Sequence, residues 1–190
     1  MKLLTFLAVG AGFAASAPLI SERQAGSACF IIGNQTLPQE TADAVKQLQS
    51  TVTCDSSRTT ISGVPDVSSG GVTFSSINFA ASPQTPLQFA LSRFATPTPL
   101  RDADLATFQN QLNVYLATEA GIRSVGGSLA IKVPKFFLEF QVSRIQTAQG
   151  NPPAAAGLQV DHLLQKVLKN AAGESQQLLD QVTALAKVLE

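Results

Sequence analysis

Residues 128–145 constrain this chain more than any other stretch. Leu129, Ile131 and Val133 alternate with small or polar neighbours, and Phe136, Leu138, Phe140 and Val142 continue the alternation one residue out of phase. A period of two is the signature of a strand with one face buried. The slip falls at Pro134-Lys135, and a proline has no N–H for a ladder, so a β-bulge or a break into two strands is expected there. On that reading Phe136, Leu138, Phe140 and Val142 face the core, while Lys135, Glu139 and Gln141 face outward or pair across the strand. A helix beginning at Pro134 competes with it. Glu139, Gln141 and Ser143 stand where alternation wants polar residues, and they favour the strand.

The chain opens with Lys2 followed by an apolar run from Leu3 to Ala15, broken only by Thr5 and glycines. That run is short of the roughly 20 residues a membrane-spanning helix needs. Ala14 and Ser16 are small residues placed for cleavage before Ala17. Residues 1–16 are therefore expected to be a secretory signal, and residues 17–24 a polar leader carrying Arg23. With its Ala17-Pro18-Leu19 start and Arg23-Gln24 end, this segment resembles the head of small secreted proteins of filamentous fungi. The resemblance is confined to residues 1–24 and implies a class of exported protein.

Export gives the cysteines a meaning. Cys29 and Cys54 are an even pair in an oxidising compartment, so a disulfide between them is expected. It would contribute about 3.5 kcal/mol through the chain-entropy effect of closing the loop. Within that loop Asn34-Gln35-Thr36 forms a sequon, which makes Asn34 a candidate glycan acceptor if it lies on the surface. Thr36, Pro38 and Gln39 then read as a helix start, and Thr41, Val45, Leu48 and Val52 as its apolar face.

Residues 55–71 read as a loop holding one short strand, and Val72–Ala80 as a clear strand. After the break at Pro83 and Pro86, Leu87–Phe94 resumes strand-like composition, so the two should form a hairpin. Thr96 to Pro99 is a rigid breaker whose threonines are also open to O-linked sugars. A second helix should start at Thr98-Pro99 or Asp102, carry Leu105, Phe108, Leu112, Tyr115 and Leu116 on one side, and stop at a left-handed Gly121. Residues 147–157 read as a linker. Beyond them Leu164, Ala171, Leu178 and Leu185 recur every seven residues, with Leu168, Ser175, Val182 and Leu189 at the complementary position. Gly173 allows either one helix or two in tandem.

The expected fold is thus α+β: an antiparallel sheet packed by two helices over residues 25–146, followed by a C-terminal helical segment over 158–190. A stripe of Leu164, Leu168, Leu178, Val182, Leu185 and Leu189 cannot stay in water. It must bury against the domain or serve self-association.

The remaining chemistry is mostly negative. Lys2 is one of 13 basic residues, and the 12 beyond the signal face 13 acidic ones, a balance without the basic face that nucleic acid requires. His162 is the only histidine, and no G-x-S-x-G surrounds a serine, so a catalytic triad is not expected. Asp102 and Asp104 suit a helix start better than a metal, and no cofactor or metal is expected. Gly70-Gly71 and Gly126-Gly127 match no phosphate-binding loop. Carboxylate pairs for glycoside hydrolysis need no sequence proximity, yet the chain has no Trp and one Tyr to stack a sugar ring. Two functions follow as expectations. The first is a secreted, non-enzymatic protein acting by binding, effector-like or associated with the cell surface or wall. The second is an extracellular carrier of an apolar ligand, or a small hydrolase with a carboxylate site, and it requires an apolar cavity.

Overall fold

A computed structural model describes residues 28–190. The expected signal and leader, 1–16 and 17–24, lie outside the described residues. The elements in order are α1 (Gln39–Leu48), β1 (Thr53–Thr59), β2 (Pro65–Ser69), β3 (Val72–Thr73), α2 (Pro86–Arg93), α3 (Leu105–Ser124), α4 (Lys132–Ala148), α5 (Val160–Asn170) and α6 (Gln176–Leu185). The class is α+β. The sheet is three-stranded and antiparallel in the order β1-β2-β3, pairing Cys54 with Val67 and Ser69 with Val72. Gly70 and Gly71 make its second turn, both at positive φ, where a two-residue hairpin turn puts glycine.

The stretch expected to be the central strand is instead the central helix, α4. Everything from Val133 to Ile145 except Glu139 is buried, against α2 on one side, α3 on another and α5 on a third. A helix enclosed on all sides needs no polar face, so its sequence loses the 3.6-residue stripe that marks a surface helix. The expected slip at Pro134 has a helical explanation as well. Pro134 sits in the first turn, where the backbone N–H has no intrahelical partner to lose. Phe137, which the strand phase would turn outward, is fully buried. Lys135 and Gln141 are buried too and Glu139 is half-buried, so none of the three faces outward.

Two further strands are corrected. Val72–Ala80 keeps strand geometry only at Val72–Thr73, then turns through short 3-10 segments at Phe74–Ile77 and Phe79–Ala81. Side chains take the backbone donors that a ladder would use: Asp66 accepts from Ser75 N–H at 2.9 Å and Asn78 from Ala80 N–H at 3.0 Å. Leu87–Phe94 falls on helix α2 and its C-cap, and the helix is opened by Thr85 accepting from Gln88 N–H and by Pro86 in the first position. The expected single strand in 55–71 is a pair, β1 and β2, joined by a tight turn at Ile61–Gly63.

The helices expected elsewhere exist with shifted ends. Helix α1 starts at Gln39 behind Pro38 without a side-chain cap. Helix α3 starts later than expected, because Asp104 accepts from the N–H groups of Ala106 and Thr107. It also runs through Gly121 to Ser124. Gly121 serves packing there, since a Cβ would stand 2.6 Å from Phe30 O and 2.7 Å from a Val64 methyl. The left-handed glycine after the helix is Gly126.

Beyond residue 150 the chain forms two helices in tandem, α5 and α6, separated at Ala171–Ser175. Leu163, Leu164 and Val167 of α5 and Val182 of α6 are buried within the chain. Leu168, Leu178, Leu185 and Leu189 are half-buried.

Candidate binding groove

The structure places the sequence-predicted residues apart from one another. Cys29 and Cys54 are bonded, with Cα atoms 6.0 Å apart, tying the segment ahead of α1 to strand β1. Asn34 is exposed on the loop between Cys29 and α1, a position that meets the surface condition for a glycan acceptor. His162 is exposed on α5. Asp104 caps α3, and Asp102 stands exposed in the turn before it. Among the described residues no three His, Cys, Asp or Glu side chains converge as a metal would require. Nor, among them, is any helix long and apolar enough to cross a membrane.

Two buried polar groupings were not legible in the sequence. In the first, Glu119 of α3 accepts from Arg123 (Nε 2.9 Å, Nη2 2.7 Å) and from Lys135 Nζ at 3.2 Å. Lys135 also lies 3.4 Å from Glu139. The Lys135 ammonium stands 3.6 Å from the Phe136 ring centre, and Lys166 of α5 approaches the same ring at 5.1 Å while pairing with Glu40 of α1 at 3.5 Å. Burial pushes the Glu139 carboxyl up, against the opposing pull of Lys135. Two carboxylates and a lysine resemble a general acid/base set, but each charge is already taken by a neighbour and neither groove described below is lined by them. The cluster joins α1, α3, α4 and α5.

The second grouping centres on Arg144, a guanidinium 1 % exposed. It donates to Gln141 Oε1 and, at 2.8 Å, to Val188 O, while among the described residues no carboxylate pairs with it and its Nε has no partner. Gln141 in turn donates to Phe94 O at 2.8 Å. Burial pulls the Arg144 pKa down to about 10, which still leaves it charged at neutral pH. This pair of side chains locks the end of α2 and the segment after α6 onto α4.

Above Gln141 the surface opens. Helices α2 and α6 lie side by side and run in the same sense, since residues 84–88 face 173–177 and residues 91–96 face 181–185. Few contacts join them, and Glu174 Oε1, in the turn before α6, accepts from Leu87 N–H in the first turn of α2. Between them runs an open groove of about 680 Å³, with Gln84, Gln88, Gln177 and Gln181 along it and Leu91 and Leu178 in its lining. It continues, through the shared Leu91 and Gln181, into a cleft of about 320 Å³ lined by Ala95, Ala184, Leu185 and Gln141. Among the described residues Glu174 is the one ionisable residue in either lining, and one of its carboxylate oxygens caps α2.

These features define a disulfide-bonded α+β protein with a closed polar interior and a groove between two helices lined mainly by amides, hydroxyls and a single carboxylate. The match of residues 31–190 to the family described as a domain of unknown function, DUF7143, makes the chain a member of that family. No curated protein and no solved structure matches it.

Proposed function

We propose that this is an exported, non-enzymatic protein that acts by contact, effector-like or held at a cell surface or wall in the manner of small secreted fungal proteins. The observation carrying this reading is the groove between α2 and α6. It is large and accessible, and it offers amides and hydroxyls for recognition; among the described residues its lining holds one carboxylate, Glu174, with no second carboxylate and no histidine beside it. The disulfide, the signal-like first 16 residues and the exposed sequon at Asn34 support export. A second reading, a carrier of an apolar ligand, is favoured by the cleft over Gln141, whose lining is mainly Leu91, Ala95, Ala184 and Leu185.

Expression of the full chain from Met1 in a fungal host tests the proposal. The expected product is found in the medium, starts at or after Ala17, and turns over none of a panel of esters, glycosides and peptides. Retention inside the cell, or turnover that follows the protein through purification, overturns it. Native mass spectrometry of the same material decides the second reading, which requires a co-purifying apolar molecule.

A further inference from the structure

We propose that the α2–α6 groove takes an uncharged, extended segment of a partner polypeptide, with glutamine side chains gripping its backbone and one apolar side chain seated in the cleft over Gln141. This inference rests on the contact reading above and names the partner's chemistry.

Length comes first. Helices of eight and ten residues bound a groove about 12–15 Å long at 1.5 Å per residue, the span of about four extended residues. Lining chemistry comes second. Gln84, Gln88, Gln177 and Gln181 each carry both a donor and an acceptor, and Ser92, Thr85 and Ser175 add hydroxyls. An extended backbone leaves its N–H and C=O groups in need of both kinds of partner, which such a lining supplies. A docked helix satisfies its own backbone and asks instead for an apolar stripe. Here Leu91 and Leu178 are the only large apolar side chains in the polar part of the groove.

Charge is the third argument. Among the described residues the single carboxylate of the lining caps α2 with one oxygen and keeps its charge. An acidic ligand side chain would therefore lose water and meet a like charge, while a basic one would find a single, partly engaged carboxylate at one end of the groove. A lining otherwise of amides and hydroxyls suits a neutral segment. A neutral glycan also fits the amides, but the lining of both grooves contains no aromatic ring for a sugar face. The apolar cleft at one end, roomy enough for a leucine-like side chain, would have nothing to receive from it.

The test is a titration of the isotopically labelled full chain followed by amide chemical shifts. The probe is a pool of capped octapeptides of serine, threonine and glutamine with a single leucine. Parallel pools carry alanine in place of leucine, or two lysines or two glutamates, and chitohexaose serves as a glycan probe. The expected result is saturable shifts confined to α2, α6 and the surroundings of Gln141. Binding should weaken about tenfold without leucine and at least about tenfold with charge. The variant Gln181→Trp fills the shared part of the groove from an exposed position. It should keep the native shift dispersion and lose binding at least about tenfold. No saturable shift with any uncharged pool, equal binding of the charged pools, preference for the glycan, or shifts elsewhere on the surface each overturn the inference. Any of these leaves the contact reading standing, whereas cleavage of the peptides would overturn that reading.

Discussion

Lys135 on α4 holds its ammonium 3.2 Å from the Glu119 carboxylate on α3, with both side chains almost wholly buried. Removing one member of such a pair leaves an uncompensated buried charge, a loss of about 3–5 kcal/mol. Lys135→Ala should therefore lower the unfolding free energy by about that amount in a urea titration. A loss under about 1 kcal/mol, the range of exposed pairs, would mean that water reaches the cluster.

The partially buried Glu139 on the same network sets a pH dependence. Burial raises its folded-state pKa above the ordinary glutamate range. Below that range it is protonated in both states and contributes fully. As pH rises through the ordinary range, the unfolded chain loses its proton first, and stability falls until the raised folded value is passed. Glu139→Gln should remove this falling portion from a plot of stability against pH. An unchanged plot would contradict the assigned direction.

Helical and strand phases for 132–148 differ most at Phe137. A strand turns it to solvent, while α4 buries it completely. Phe137→Ala should cost about 3–5 kcal/mol, as much as Phe140→Ala. A change near zero at Phe137 with a full loss at Phe140 would restore the strand.

How much of this was legible depends on whether the cause is local. The Cys29–Cys54 bond and the bodies of helices α1 and α3 follow from cysteine parity, turn residues and an apolar stripe close in sequence, while the start of α3 at Asp104 and its run past Gly121 did not. Thr85-Pro86 was a helix start of the same kind, though the Leu and Phe residues after it, read as strand-like, obscured α2. Helix α4 misled for a tertiary reason. Enclosure by three other helices removes the polar face by which a helix is recognised, and Lys135 and Glu139 are polar because they pair with each other, Lys135 also with Glu119. The groove was out of reach because its walls, residues 84–96 and 173–185, lie far apart in sequence and meet only in the folded chain.

Gly121 offers a check on how α3 meets the first turn of the chain. Glycine to alanine inside a helix ordinarily stabilises by about 0.5–1 kcal/mol. Here the new methyl would stand 2.6 Å from Phe30 O, a backbone atom that cannot swing aside. Gly121→Ala should destabilise by about 1–3 kcal/mol, read from the thermal or urea midpoint. Stabilisation would show that the Phe30 segment sits farther from α3.

The claim that this protein works by contact through the α2–α6 groove is tested most directly by binding of labelled protein to isolated fungal walls and intact eukaryotic cells. Wild type should be retained saturably on at least one of these surfaces and displaced by unlabelled protein. Gln181→Trp, folded to the same midpoint, should bind at least about tenfold more weakly. Equal retention of the two proteins, or no saturable retention on any surface, would contradict the account.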